Sequence, residues 1–439
     1  MRIFPLFGVA IALLSATVAT VAPAALTAPE KQMMVTVDAE RERTLAMLER
    51  WVNVNSGSHN LAGVEAVGKM VRAELEPLGF AVRWIPMTAT GRAGHLVAHH
   101  AGKGKRLLLI GHLDTVFELD SPFQKWVRKG DVAKGPGASD DKGGDTVIVA
   151  ALRAMRAAGT LNKADITVFL TGDEEDSGTP LDVARRDLVA AGKAADVALD
   201  FEGLAQRDGK DMGSVARRGA ASWTVSVTAQ PGHSSGVFSR EAGYGAIYEL
   251  ARVIEAFRTQ LTDDRLTYNV GLIGGGQSAD LDDGKIRLAA TGKTNIIAAT
   301  AVARGDLRAL TPEQFDRTVA KMRAIVATPL FGAKTVISFD EDAYPPMAPT
   351  PGNRALLARL NRINAEMGLS PMAELDPVKR GAGDISFVGK DVDGLVGLGP
   401  ASTGDHTAAE TVDIPSLFRQ AKRAAILMSR LAAEPAGKR

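Results

Sequence analysis

No cysteine occurs in the 439 residues of this chain. Disulfides, thiolate metal ligands, a cysteine nucleophile and a lipid on an N-terminal cysteine are therefore excluded. Any metal site must be built from His, Asp and Glu, a donor set that suits zinc and other divalent ions in an open catalytic site. Net charge is almost absent as well, with 52 Lys and Arg against 51 Asp and Glu, or +1 overall. No field of one sign marks the chain for nucleic acid or an anionic membrane surface, so an active site must be a local arrangement. Tryptophan is scarce, four residues in all, and Trp126 and Trp223 read as packing residues, not as a ligand box. Internal repeats are missing, and low complexity is confined to an Ala-rich beginning and a polar tail.

One apolar run stands out, at the beginning. MRIFPLFGVAIALLSATVATVAPAA carries Arg2, then apolar and small residues, then Ala22-Pro23-Ala24 as a small-x-small cleavage site. This pattern predicts a secretory signal over residues 1–24 and an exported protein, periplasmic or secreted. Pro5 and the many Ala and Thr residues make the run short and weakly apolar for a permanent anchor, so no stable membrane insertion is expected once it is removed.

The length suits two domains. Residues 64–80 space Val67, Val71 and Leu75 as a helix that stops at Gly79. AVRWIPM, HLVAHHAG and KRLLLIGHLDTV then read as strands, the last with a continuous buried run, Leu107 to Ile110. The helix GDTVIVAALRAMRAAG, the strand ADITVFLTGDEE, a helix in TPLDVARRDLVAAGKA with Thr179 as N-cap and Pro180 in first position, and the strand ADVALDFEG follow. Such alternation predicts an α/β domain with a doubly wound, mostly parallel sheet, whose ligands sit at the carboxyl ends of the strands. Near residue 214 the texture changes to alternating, half-exposed strands with two helices. We expect a catalytic domain in two pieces, 30–213 and 339–436, interrupted by a smaller α+β lid or dimerisation domain over 214–338.

The chemistry-bearing residues fall at the strand ends. His112 and Asp114 stand in GHLDTV, Asp140 in GASDDKGG, Glu174 and Glu175 in TGDEEDSG, Asp200 and Glu202 in ALDFEG, and His406 in GDHTAAE. A two-metal hydrolytic site needs such ligands, one carboxylate able to bridge both ions, and a base for the attacking water. The spacing His112-Leu113-Asp114 puts both side chains on one side of an extended segment, where Asp114 can bond the imidazole nitrogen that faces away from a metal. Adjacent glutamates point in different directions, so one can bind metal while its neighbour handles a proton. Taken alone, DDKGG is also a common turn or helix start, and both Asp200 and Glu202 are open as ligands.

With these motifs in this order, the chain resembles the superfamily of co-catalytic zinc peptidases that contains carboxypeptidase G, succinyl-diaminopimelate desuccinylase, aminoacylase and the carnosine dipeptidases. The resemblance runs over nearly the whole chain beyond the signal. It implies two Zn²⁺, or other divalent ions, held by His112, Glu202, Glu175 and His406 with Asp140 bridging. Within it Glu202 is preferred to Asp200, because the family's ligand stands six positions after an Asp, here Asp196. Asp114 would orient His112, and Glu174 would be the proton-transfer base. The lid implies pairing of subunits into a homodimer and an oxyanion-stabilising histidine, matched by His233 in AQPGHSSG. Asn295 and Arg308 match lid positions near substrate, and Arg380 and Gly381 in KRGAGD match a segment near the substrate carboxylate. PGHSSG is otherwise a polar turn, and the arginines are otherwise surface ion-pair members. The loop Glu174-Glu175-Asp176-Ser177-Gly178 departs from the family's Glu-Glu-x-Gly-Ser, which bears on the pocket. His59, His95, His99 and His100 match no family position and read as structural or solvent-facing.

The implied activity is hydrolysis of an amide or peptide bond in a short peptide or N-acyl amino acid with a free carboxylate. The alternatives are a two-zinc aminopeptidase or dipeptidase, and a non-catalytic exported solute- or metal-binding protein.

Overall fold

The computed structural model describes residues 25–437; the expected signal, 1–24, lies outside them. Among the described residues no helix is long and apolar enough to cross a membrane.

The strand Arg106–His112 is apolar on both sides because both sides are covered. Successive side chains of a strand point to opposite faces. Leu107 and Leu109 pack with Val147, Leu152, Leu417 and Ala421, whereas Leu108 and Ile110 pack with Leu188, Ile385 and Val388. The helices Lys142–Ala157 and Ile414–Ala432 thus cover one face, and Leu181–Ala194 the other. The six-stranded sheet runs in the order Ala81–Pro86, Gly94–His100, Asp165–Thr171, Arg106–His112, Val197–Asp200, Gly394–Leu395. The four from Asp165–Thr171 onward are parallel, and the two at the other edge pair antiparallel. This is the expected doubly wound, mostly parallel sheet.

Topology places the site. From Arg106–His112 the chain reaches Asp165–Thr171 through a helix on one face, then crosses through Leu181–Ala194 on the other face to Val197–Asp200, which lies on the opposite side of the first strand. Where the winding reverses, the carboxyl ends of the strands part and open a crevice for ligands.

The middle of the chain builds a second core. Four antiparallel strands, Thr267–Gly276, Thr300–Arg308, Ala221–Ala229 and Ala333–Phe339, lie in that order. Helices Ala246–Gln260 and Pro312–Val326 pack on one face through Val253, Phe257, Met322 and Ile325. Trp223 is fully buried there, edge-on to Phe257, in the packing role expected of it. The two linkers to this unit pair with each other, Arg217 with Met347 and Ala220 with Tyr344.

One local expectation is corrected. Pro180 has extended backbone, ψ 139°, and occupies the N-cap, so the helix starts at Leu181 and no side chain caps it. Thr179 therefore stands outside the helix, because a proline in that conformation does not extend the turn toward it.

Candidate active site

A small four-stranded sheet joins distant parts of the chain at the crevice. Ser402–Thr403 and Thr411–Asp413 form a hairpin whose loop carries His406, and Thr411–Asp413 also pairs with Val132–Lys134, shortly before Asp140. His406 has φ +61°, a left-handed backbone uncommon away from glycine and often found at functional sites. Its Nε2 lies 3.1 Å from Asp140 Oδ2 and 3.1 Å from Glu175 Oε2. The other oxygen of Asp140, Oδ1, lies 3.1 Å from His112 Nε2. Asp140 thus stands between two imidazoles with one oxygen toward each. Ligand atoms of His112, Asp140 and Glu175 all lie within 4.8 Å of one another, close enough to hold a cation.

Asp114 ties the strand ends together from below. Its carboxylate accepts the main-chain N–H of Glu174 at 3.0 Å, that of Glu175 at 3.1 Å and the Ser58 hydroxyl at 2.7 Å. His112 Nδ1 lies 3.2 Å from the Asp114 main-chain oxygen, its hydrogen-bond partner, and 3.3 Å from Asp114 Oδ1. Asp141 is buried behind Asp140, with Oδ2 accepting the His112 N–H at 3.3 Å.

Glu174, Glu202, Arg380 and Gly381 line the same cavity as Asp140 and His406, about 700 Å³ in volume. Asp200 does not line it; its Oδ1 accepts the Glu202 N–H at 2.9 Å. The Glu202 carboxylate faces Arg217 at 2.5 Å and Arg380 at 3.3 Å. His233, Asn295 and Arg308 stand on the inserted unit and none lines this cavity. His233 is exposed with Nδ1 2.8 Å from Ser235 Oγ, Asn295 accepts the Ser234 N–H through its main-chain oxygen, and Arg308 pairs with Asp306 at 2.9 Å. Of the remaining histidines, His95 and His100 are buried on main-chain oxygens, while His59 and His99 are exposed beside Asp176 and Asp165.

The electrostatics are those of a site with too many carboxylates. Burial, reinforced by nearby Glu202, pushes Glu174 well above the usual carboxylate range. Burial likewise raises Glu175 to about 7, against the His406 bond. His406 is raised to about 11 by its bonds to Asp140 and Glu175. Burial works to lower His112, but its bonds to Asp114 and Asp140 win and hold it well above the ordinary imidazole value. Buried acids in this number need compensating positive charge, and imidazoles with carboxylates are the donors a borderline divalent ion prefers.

Residues 108–430 match the model of Peptidase family M20/M25/M40. The chain belongs to this family. It is therefore an enzyme, a hydrolase of the metallopeptidase and amidohydrolase kind. Among M20 relatives, carboxypeptidase G2 of Pseudomonas sp. (strain RS-16) is 28% identical over 407 residues, covering 90% of each chain. The fold matches aminopeptidase PepT of Bacillus cereus with TM-score 0.69 at 18% identity, covering 89% of this chain and 99% of that one. It also matches YXEP of Bacillus subtilis, described as a dinuclear metal-binding peptidase of the M20 family, with TM-score 0.61 at 14% identity, over 90% and 99% of the two chains.

Several residues at this M20 site escape sequence reasoning. Arg217 is buried with Nε donating to Gly381 O at 2.7 Å and lies against Glu202. Glu410 accepts the N–H groups of Ser139 and Asp140 at 3.1 and 3.3 Å. Arg185 pairs with Asp173 at 2.6 Å and Asp384 at 2.8 Å beneath the Glu174 loop. Glu410 and Asp384 each close a motif singled out for another residue, GDHTAAE and KRGAGD, a signal that could have found them.

Proposed function

We propose that the chain is an exported two-zinc hydrolase that cleaves the amide or peptide bond of a short peptide or N-acyl amino acid bearing a free C-terminal carboxylate. The observation that carries this reading is the position of Asp140, with His112 on one oxygen and His406 on the other. His112 with Glu202, and His406 with Glu175, would hold one ion each, and Asp140 would be shared. Bound there, zinc supplies Lewis acidity toward the scissile carbonyl and lowers the pKa of water.

The chain's own groups do the rest. Glu174, in the cavity wall beside this cluster, takes a proton from the attacking water and delivers it to the leaving nitrogen. Asp114 holds the His112 tautomer and the main chain of Glu174 and Glu175. Arg380, with Lys379 and Arg207 in the same wall, receives the substrate carboxylate, since a guanidinium can offer two parallel bonds. Arg207, Lys379 and Arg380 outnumber Asp405, the lining carboxylate outside the cluster, and support this over the aminopeptidase reading, which needs an acidic pocket for a free amine.

His233 does not line the cavity of its own chain. We assign it, with Asn295, to the site of a second copy in a homodimer formed through the inserted unit, where it donates to the developing oxyanion. A few positions further along, exposed Phe238 meets Tyr244 at a tilt and Tyr248 edge-on, an apolar patch of the kind that marks protein contacts. Arg308 stays with Asp306 and has no support as a substrate contact.

A panel of N-acyl amino acids and of N-blocked and free dipeptides, assayed with and without chelator, tests the reading. Hydrolysis of the N-blocked substrates, lost on chelation and restored by Zn²⁺, is expected. A strict need for a free amino group would instead establish the aminopeptidase alternative, and no hydrolysis of any member would overturn this substrate class.

A further inference from the structure

The loop that carries Glu174 is held from two sides. Asp114 takes the N–H groups of Glu174 and Glu175. The opposite side is held by a buried network outside the metal-binding cluster. Arg185, 1% exposed, donates to Asp173 Oδ1 at 2.6 Å, to the Asp173 main-chain oxygen at 2.9 Å and to Asp384 Oδ1 at 2.8 Å. Its Nη2 also reaches Ser177 Oγ at 3.0 Å and Tyr344 Oη at 3.2 Å.

Tyr344 is the member of this network that belongs to a linker of the inserted unit. It follows the last strand of the inserted unit, on the returning linker, and its main chain pairs with Ala220 on the outgoing linker at 2.9 and 3.0 Å. Its ring packs edge-on against Phe387, centroids 4.8 Å apart, and borders a cleft of about 340 Å³ shared with Pro312 and Phe315 of the inserted unit. Its hydroxyl lies 3.0 Å from the main-chain oxygen of Glu174 and 2.6 Å from Ser177 Oγ. A carbonyl oxygen only accepts. The single phenol hydrogen therefore goes to Glu174, and Ser177 donates to the phenol oxygen.

We propose that Tyr344 is a positioning residue: through its hydroxyl, the linker from the inserted unit sets the main-chain position of Glu174. This rests on Glu174 as the base. Proton transfer depends on placement to a fraction of an ångström, and a displacement of about 1 Å can cost on the order of 100-fold in rate. Asp114 grips the loop through N–H groups, so among the described residues the Glu174 carbonyl depends on Tyr344 for its side-chain bond.

Tyr344→Phe deletes the hydroxyl and keeps the ring against Phe387. The experiment measures kcat, KM, zinc content and melting temperature of this variant beside the parent and Glu174→Gln, with kcat referred to zinc-loaded protein. We expect kcat to fall about tenfold with KM within about twofold and zinc content unchanged, the pattern of a contact that matters in the transition state. A merely structural tyrosine would lower the melting temperature and leave kcat per loaded molecule within about twofold, which overturns the proposal, as does a loss confined to KM. Failure of the underlying reading is separate: if Glu174→Gln keeps full turnover, the base assignment and this inference fall together. An inactive Glu174→Gln beside an unimpaired Tyr344→Phe removes only the inference.

Discussion

His406 Nε2 meets Asp140 Oδ2 at 3.1 Å although 266 positions separate them. The contact exists because the hairpin around His406 is paired, strand to strand, with the segment that leads into Asp140. Each residue also touches a second group, His112 for Asp140 and Glu175 for His406. The result is a chain of alternating imidazole and carboxylate that only a cation or protons can neutralise.

Protons hold that place in the metal-free chain, since His112 and His406 are both raised above the ordinary imidazole value, His406 to about 11. An imidazole must lose its proton to bind metal. Titrating Zn²⁺ into metal-free protein in weak buffer at pH 7 should acidify the solution by at least two protons per chain, one from each histidine, with a further share from Glu175, which is raised to about 7. Apparent affinity should weaken as pH is lowered. Binding without proton release would count against both histidines as ligands.

The strand ends that carry these residues are legible in the sequence because their apolar runs are unbroken: Leu107 to Ile110 declares a strand covered on both faces, and a polar residue just after it is placed at the crevice. The long-range supports are not legible. Arg217 lies in ARRGAA, which has no periodic signal, and its meaning depends on main-chain oxygens more than 160 positions away, at Gly381 and Ala382. Tyr344 reads as an aromatic in a Pro-rich turn; only the pairing of the two linkers brings its hydroxyl to Glu174. The start of the helix after Thr179 is misjudged because Pro180 fits either the N-cap or the first turn, and composition cannot tell these apart.

Glu410 gives a stability prediction. Burial, with Asp140 adding to it, raises this carboxyl to about 8 against its N–H bonds. A group whose folded pKa lies above its unfolded value near 4.5 contributes stability that is complete below that value and lost as pH rises through about 8. The melting temperature of metal-free protein should therefore fall across this window, and Glu410→Gln should flatten the fall. An unchanged profile in the variant would show that Glu410 does not carry the dependence.

The placement of His233 predicts complementation between two impaired variants. His233→Ala should lose on the order of 100-fold in kcat, as for removal of one oxyanion donor. Mixing it with Glu174→Gln and allowing subunits to exchange should restore activity, because the alanine chain keeps Glu174 and borrows His233. Tyr248→Glu in the exposed patch should yield monomers by sedimentation and prevent the rescue. Dimers without rescue would show that His233 does not serve a neighbouring site.

The number of metal ions tests the central claim most directly. After stripping with a chelator, reloading with Zn²⁺ and removing excess metal, elemental analysis of purified protein should give about two ions per chain, as a co-catalytic pair requires. Glu174→Gln should keep both ions while losing turnover, and Asp140→Ala should lose them. A parent chain that binds no zinc, or an Asp140→Ala variant that binds as much as the parent, would contradict the account.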